Sequence, residues 1–146
     1  MHDALLTTEE QITVDYYNKN IHSYIERTFH VEMEQIRNRF LKCLPQKAKI
    51  LDAGCGPGRD AMAFSQKGYE VLGFDAAIEM VRYVKEELHI PAVHGLFQDM
   101  RFDQEFDGIW ASASLVHISP TALPDVLERF HKALKPNGIL AISFKD

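Results

Sequence analysis

Three glycines at alternate positions, Gly54, Gly56 and Gly58, follow a short apolar run, Ile50-Leu51-Asp52-Ala53, and precede a helical pattern. No other stretch limits the backbone as strongly. Glycine enters left-handed conformations without the steric cost a side chain adds, so this spacing suits a tight strand-to-helix turn close to a ligand. The helix beyond such a turn offers unpaired amide hydrogens and the positive end of its dipole. The flanking segments alternate in kind. Residues 48–53, 69–75, 91–94, 106–111 and 139–144 read as strands. Residues 59–67, 77–89 and 121–134 read as helices. Gly68 closes the first of these helices. Met80, Val81, Val84 and Leu88 share one face of the second. Pro124 sits in the first turn of the third, where its missing N–H costs nothing. Pro136-Asn137-Gly138 reads as a turn. Strands alternating with helices imply right-handed crossovers and a parallel sheet covered on both faces. Such sheets bind ligands beyond the carboxyl ends of their strands, where the strand order reverses.

The first forty-five residues lack strand-like runs. Thr7-Thr8-Glu9-Glu10-Gln11 has the hydroxyl-then-acid order of a helix start. Residues 31–44 carry apolar side chains near a helical period, and Pro45 ends them. The expected division is a helical cap, residues 1–46, and an α/β unit, residues 47–146. A length of 146 residues suits one domain. The net charge of −5 is the wrong sign for gripping phosphate backbones, so no nucleic-acid partner is expected. Apolar runs stop at four residues (61–64, 139–142), so no membrane span is expected. With acids at Asp3, Glu9, Glu10, Asp15 and Glu26 and no apolar segment among them, no secretory leader is expected. Two cysteines, Cys43 and Cys55, form neither a disulfide framework nor a four-ligand zinc site. These features suggest a reduced, cytoplasmic protein. No metal ligand set is expected from His22, His30, Asp99 and Asp103.

Twenty-one residues beyond Gly54, Asp75 ends the second strand pattern, where a carboxylate can accept from two ribose hydroxyls. A glycine turn with a ribose acid points to a nucleoside. Gly56-Pro57-Gly58-Arg59-Asp60-Ala61 also fits a dinucleotide pattern, Gly-x-Gly-x-x-Ala. A pyrophosphate, however, is repelled by a nearby carboxylate, and Asp52 stands two residues before the first glycine. An acid there suits an α-ammonium group. S-adenosylmethionine has that ammonium, a ribose and an adenine, and no phosphate.

On these residues the segment from Lys47 onward resembles the class I S-adenosylmethionine-dependent methyltransferases, in the small-molecule branch with the tellurite-resistance and ubiquinone-biosynthesis enzymes. The resemblance rests on Asp52-Ala53-Gly54-Cys55-Gly56-Pro57-Gly58-Arg59, on Asp75, and on Leu134-Lys135-Pro136-Asn137-Gly138. It implies a Rossmann-like, doubly wound parallel α/β sheet of five strands in the order 3-2-1-4-5, with an N-terminal helical lid. It also implies S-adenosylmethionine as cofactor, with S-adenosylhomocysteine as product, and a small-molecule methyl acceptor. Asp52 and Gly54 would border the methionine part, and Cys55, Gly56, Gly58 and Arg59 belong with them to the expected cofactor-binding set. Asp75 would hold the ribose, with Ala76 beside it, and Met80 would pack on the adenine. Gln98, Asp99 and Met100 match the stretch whose acid accepts from the adenine amino group and whose next N–H meets the ring. Ala111, Ser112 and Ala113 match the strand end beside the methionine part. Tyr16, Tyr17 and Tyr24 resemble a tyrosine-bearing lid helix, though helical aromatics also pack into cores.

Methyl transfer needs no catalytic triad. His117, just past the fourth strand pattern, is the candidate base, or a loop residue that positions backbone. Arg59 either pairs with the cofactor carboxylate or is a solvated first-turn residue. Asp60 reads as a favourable first-turn acid. Trp110 reads as core, and Cys55 as a residue chosen for size. Ala77 and Ile78 stand where the family places a capping hydroxyl and Pro, which removes a cap worth about 1 kcal/mol. The family's sheet has two further strands, and this sequence reaches its end after the fifth. An exposed apolar edge strand over 139–144 then suggests a homodimer through that edge. Two other readings stand beside the enzyme: a dinucleotide-binding oxidoreductase, and a truncated cofactor-binding module without turnover.

Overall fold

Alternating apolar runs and helical periods resolve into a single parallel sheet flanked by helices. The structure, a computed structural model, describes residues 33–143 and Val14. In order come α1 (Glu34–Lys42), β1 (Lys49–Ala53), α2 (Arg59–Gln66), β2 (Glu70–Asp75), α3 (Ile78–Glu86), β3 (Ala92–His94), β4 (Phe106–Ser112), α4 (Leu123–Ala133) and β5 (Leu134–Ser143). Single 3-10 turns lie at Phe97–Asp99 and Leu115–His117. The five strands run in the order β3-β2-β1-β4-β5, and every pairing is parallel. The expected fold and strand order hold. The reversal of strand order falls between β1 and β4, directly above the glycine turn.

Successive strand residues face opposite sides of the sheet, so each central strand feeds two cores. Ile50 and Trp110 join the cluster under α1, α2 and α3, whereas Leu51, Ile109 and Ala111 join the one under α4. The first cluster centres on three rings. Phe40 of α1 lies 5.7 Å from Phe64 and 5.2 Å from Trp110, and Phe64 lies 5.4 Å from Trp110. The tilted and edge-on ring geometry is the favoured one for such groups. Gly108 of β4 makes this packing possible, because a Cβ there would stand 2.7 Å from the Phe40 ring. Helix α1 therefore packs against the sheet through side chains of the strand at the crossover. Val14 packs against Ala77 and Met80 at the start of α3.

The expected helix boundaries shift by one to three residues, which is ordinary fraying. One larger difference concerns β5. The sequence suggested a helix through Leu134, a turn at 136–138 and a strand from 139. Instead α4 ends at Ala133 and Leu134 already pairs with Phe106. The ladder resumes at Gly108 and Ile139, so four residues of β5 stand opposite one of β4. The turn is thus a bulge inside the strand. Pro136 has no N–H to give to a ladder, and Asn137 takes a left-handed φ of 67°. Beyond the bulge, Ile139 and Ala141 pack on the first core, and Leu140 and Ile142 on the second. β5 is an edge strand among the described residues. Among those residues no helix is long and apolar enough to cross a membrane.

Candidate functional site

The carboxyl ends of β1, β2 and β4 meet at the glycine turn. Gly54, Gly56 and Gly58 have φ values of 78°, 54° and 85°, so each stands where a side chain is disfavoured. Space enforces the same choice at Gly54, where a Cβ would lie 2.3 Å from Ser114 Cβ. Ser114 is brought there by Ala113, whose φ of 57° turns the chain sharply off the end of β4. The Ala113 amide donates to the Ser143 carbonyl at 2.9 Å, which locks this bend to β5. The turn itself is pinned to β2, since the amides of Gly54 and Cys55 both donate to the Phe74 carbonyl, at 2.7 and 3.0 Å.

Asp75 ends β2 and points its carboxylate across the turn. Its Oδ2 accepts from the Gly56 amide at 2.8 Å and its Oδ1 from the Ala77 amide at 2.9 Å. The two amides hold the carboxylate in one orientation and leave further lone pairs on each oxygen. They also bear on the missing cap of α3. Ala77 makes no side-chain cap, and Asp75 satisfies the Ala77 amide from outside the helix instead. Burial pushes the Asp75 carboxyl up, while the Ala77 and Gly56 amides draw it back.

Asp52 differs. It is 2% exposed, and its Oδ2 has no hydrogen-bond partner. Burial pushes its carboxyl well above the usual carboxylate range, and the charges of Asp60 and Asp75 add to this. The Arg59 guanidinium and the Ala61 amide oppose it. A buried carboxylate oxygen without a partner carries a desolvation cost that only a donor or a cation removes. Cys55 is buried beside it. Its thiol is pushed up by burial and by Asp75 and Asp52, so it stays protonated and unreactive, in line with a residue present for size.

Two first-turn residues have roles that their positions alone did not reveal. Asp60 is 6% exposed. Its Oδ1 accepts from Arg37 Nη1 at 2.9 Å and its Oδ2 from Trp110 Nε1 at 2.9 Å. Arg59 is not a solvated residue: its side chain is 19% exposed, lies 3.4 Å from Asp60 and places Nη2 2.7 Å from Met33 Sδ. Trp110 is core, as expected, with its indole N–H satisfied by Asp60.

The remaining expected residues divide. Met80 is fully buried against Ala77 and Val14. The Ala76 carbonyl lies 3.0 Å from His94 Nε2. Gln98 and Asp99 are half-buried in the 3-10 turn after β3. Asp99 and Met100 line a cleft of about 510 Å³ together with Phe74, His94 and Phe102. The Met100 amide, however, donates to the Phe97 carbonyl at 3.1 Å, and the Met100 carbonyl accepts from Arg129 at 2.9 Å. The N–H expected to meet a base is therefore engaged within the turn. Ala111 is fully buried at the end of β4. His117 is exposed on the same side of the sheet as the glycine turn, in the short 3-10 turn beyond β4. Tyr16, Tyr17 and Tyr24 lie outside the described residues. Sequence reasoning missed the Arg37–Asp60–Trp110 contact. Its one visible signal was an acid directly after Gly58-Arg59, inside a stretch that turns apolar.

A protein-family model described as a methyltransferase domain matches residues 50–138. A putative methyltransferase of Bacillus subtilis (strain 168), YqeM, is 33% identical over 125 residues, covering 80% of this chain and 50% of the relative. An uncharacterized methyltransferase of Synechocystis, sll0829, is 34% identical over 98 residues, covering 64% of this chain and 45% of the relative. The chain spans about half the length of the curated relatives it matches. Among solved structures, a TehB-like SAM-dependent methyltransferase from Corynebacterium glutamicum superposes with a TM-score of 0.71 at 25% identity, covering 88% of this chain and 72% of that one. The Burkholderia thailandensis 1,6-didemethyltoxoflavin-N1-methyltransferase, with bound 1,6-didemethyltoxoflavin and S-adenosylhomocysteine, has the same fold: TM-score 0.72, 22% identity, 100% of this chain and 68% of that one.

The Asp52 carboxyl sets a pH dependence. Its folded-state value lies above that of an exposed Asp, so the stability it contributes is present at low pH and is lost as pH rises through the folded-state value. Asp52→Asn removes the charge and keeps the shape. Without ligand, this variant should melt at the same temperature as the parent, or higher, above the usual carboxylate range. Thermal denaturation followed by circular dichroism over a pH series measures it. A clear loss of stability at neutral pH would contradict the assignment of Asp52 as an uncompensated buried acid.

Proposed function

The chain belongs to the methyltransferase-domain family, and from that premise we propose that it transfers the methyl group of S-adenosylmethionine to a small-molecule acceptor. The observation that carries the reading is Asp52 Oδ2, a buried carboxylate oxygen without a partner beside the glycine turn. A carboxylate there fits an α-ammonium group and disfavours the pyrophosphate of a dinucleotide. Asp75, oriented by two backbone amides, fits a pair of ribose hydroxyls. Asp99, on the rim of the cleft after β3, fits an adenine amino group; Met80 is fully buried and offers the base no surface in this arrangement. Arg59 lies on the first turn of α2, where its charge suits the cofactor's carboxylate.

When bound, the cofactor supplies an electrophilic methyl on a sulfonium, and the hard chemistry is its own. The residues here would bind and orient it. Asp52 would hold its amine and Asp75 its ribose, at the carboxyl ends of β1 and β2. Orientation of this kind can contribute roughly 7–11 kcal/mol to a bimolecular transfer. The bend at Ala113 and Ser114 packs against Gly54 and forms one wall of the opening between β1 and β4.

A second proposal concerns assembly. The outer edge of β5, with half-buried apolar residues from Ile139 to Ile142, suits pairing with a second copy of the chain. Light scattering over a concentration series should give a dimer mass; a constant monomer mass would rule this out.

Isothermal titration tests the cofactor reading. S-adenosylhomocysteine should bind and NAD should not. Asp75→Ala should weaken the homocysteine nucleoside by about 1–3 kcal/mol, because the ribose hydroxyls then lose a charged acceptor. Tight NAD binding with no response to S-adenosylhomocysteine would overturn the reading.

A further inference from the structure

Asp60 lies outside the set of residues assigned to the cofactor, yet it is buried next to that set. Its oxygens are taken by two donors from elsewhere in the chain, Arg37 on α1 and Trp110 on β4, each at 2.9 Å. Arg59 is farther, at 3.4 Å from Oδ1 and 3.5 Å from Oδ2. Without Arg37, the donors named here would be a neutral indole N–H and the longer Arg59 contact. A buried carboxylate stripped of its closest opposite charge is left less fully compensated in a low-dielectric interior. That charge would stand near Asp52, because Asp52 of β1 pairs in register with Trp110 of β4, whose indole N–H donates to Asp60; the repulsion of Asp60 acts on Asp52 already.

We propose that Arg37 is a positioning residue for cofactor binding: by pairing with Asp60 it offsets part of the negative charge near Asp52 and so eases the ionisation of Asp52 toward a cationic group at the glycine turn. This rests on the reading that the ammonium of a sulfonium amino acid meets Asp52. The groups that act on Asp52 are Asp60, Arg59 and the Ala61 amide from α2 and Asp75 from β2, and Arg37 acts through Asp60. All but Arg37 belong to the unit running from β1 to β2. Arg37 comes from α1, 23 residues before Asp60. Its side chain is 13% exposed, so solvent screens the pair only weakly. The placement of α1 on the sheet, fixed by Phe40, would therefore tune the charge of the cofactor site without touching the cofactor.

The experiment is isothermal titration of the whole chain with S-adenosylhomocysteine over a pH series. Affinity should rise with pH as Asp52 ionises. In Arg37→Gln the midpoint of that rise should move up by about one pH unit, which is about tenfold weaker binding below the midpoint. Arg37→Lys should return most of the loss. Asp60→Asn removes the repelling charge itself, so its midpoint should stay or move down, and it keeps the test open if Arg37→Gln does not fold. Trp110, the single tryptophan, reports by its emission whether the packing around Asp60 survives in each variant. A pair with only a structural role would lower the melting temperature and leave the pH profile in place, and that result overturns the proposal. An upward shift in Asp60→Asn overturns it as well. If the parent chain binds no S-adenosylhomocysteine at any pH, the functional reading fails with it; if the parent binds and the Arg37→Gln profile superposes on it, only the role of Arg37 fails.

Discussion

Three carboxylates are buried around one turn of backbone, and the arrangement depends on how each is compensated. Asp75 is met by two amides, Asp60 by a guanidinium and an indole, and one oxygen of Asp52 by nothing. Removing a carboxylate from water costs several kcal/mol unless partners replace the lost hydration. The first two acids have those partners built in and hold the turn and α1 in place. The third does not, and the imbalance is what makes the turn a site rather than a connection.

Glycines make the crowding feasible. Only a backbone free to take positive φ can pass between Asp52 and Asp75 while two of its amides reach the Phe74 carbonyl. Because Gly54 carries no side chain, Ser114 has room against it, and the end of β4 lies over the same spot. The reversal of strand order opens the crevice, and the left-handed Ala113 bend defines its wall.

Much of this was legible in the sequence because it is local. The alternation of short apolar runs with helical periods marks the sheet, and the glycine spacing marks the turn. The distance from Gly54 to Asp75 spans one helix and one strand, so the acid lands beside the turn once the crossover is made. What escaped reading is tertiary. Arg37, Asp60 and Trp110 are separated by 23 and 50 residues, and no local pattern joins them. Pro136-Asn137-Gly138 serves a turn and a bulge equally well, and only the pairing of β5 with Phe106 and Gly108 decides between them. The Met100 N–H, expected at an adenine ring, donates instead to the Phe97 carbonyl at the end of the 3-10 turn, a local contact that the residue pattern does not display.

The most direct measurement of the central claim is a crystal structure of the chain grown with S-adenosylhomocysteine. The account expects the amine of the ligand within hydrogen-bond distance of Asp52 Oδ2 and both ribose hydroxyls on Asp75. A nucleoside bound elsewhere, or one whose amine points away from Asp52 toward solvent, would contradict it.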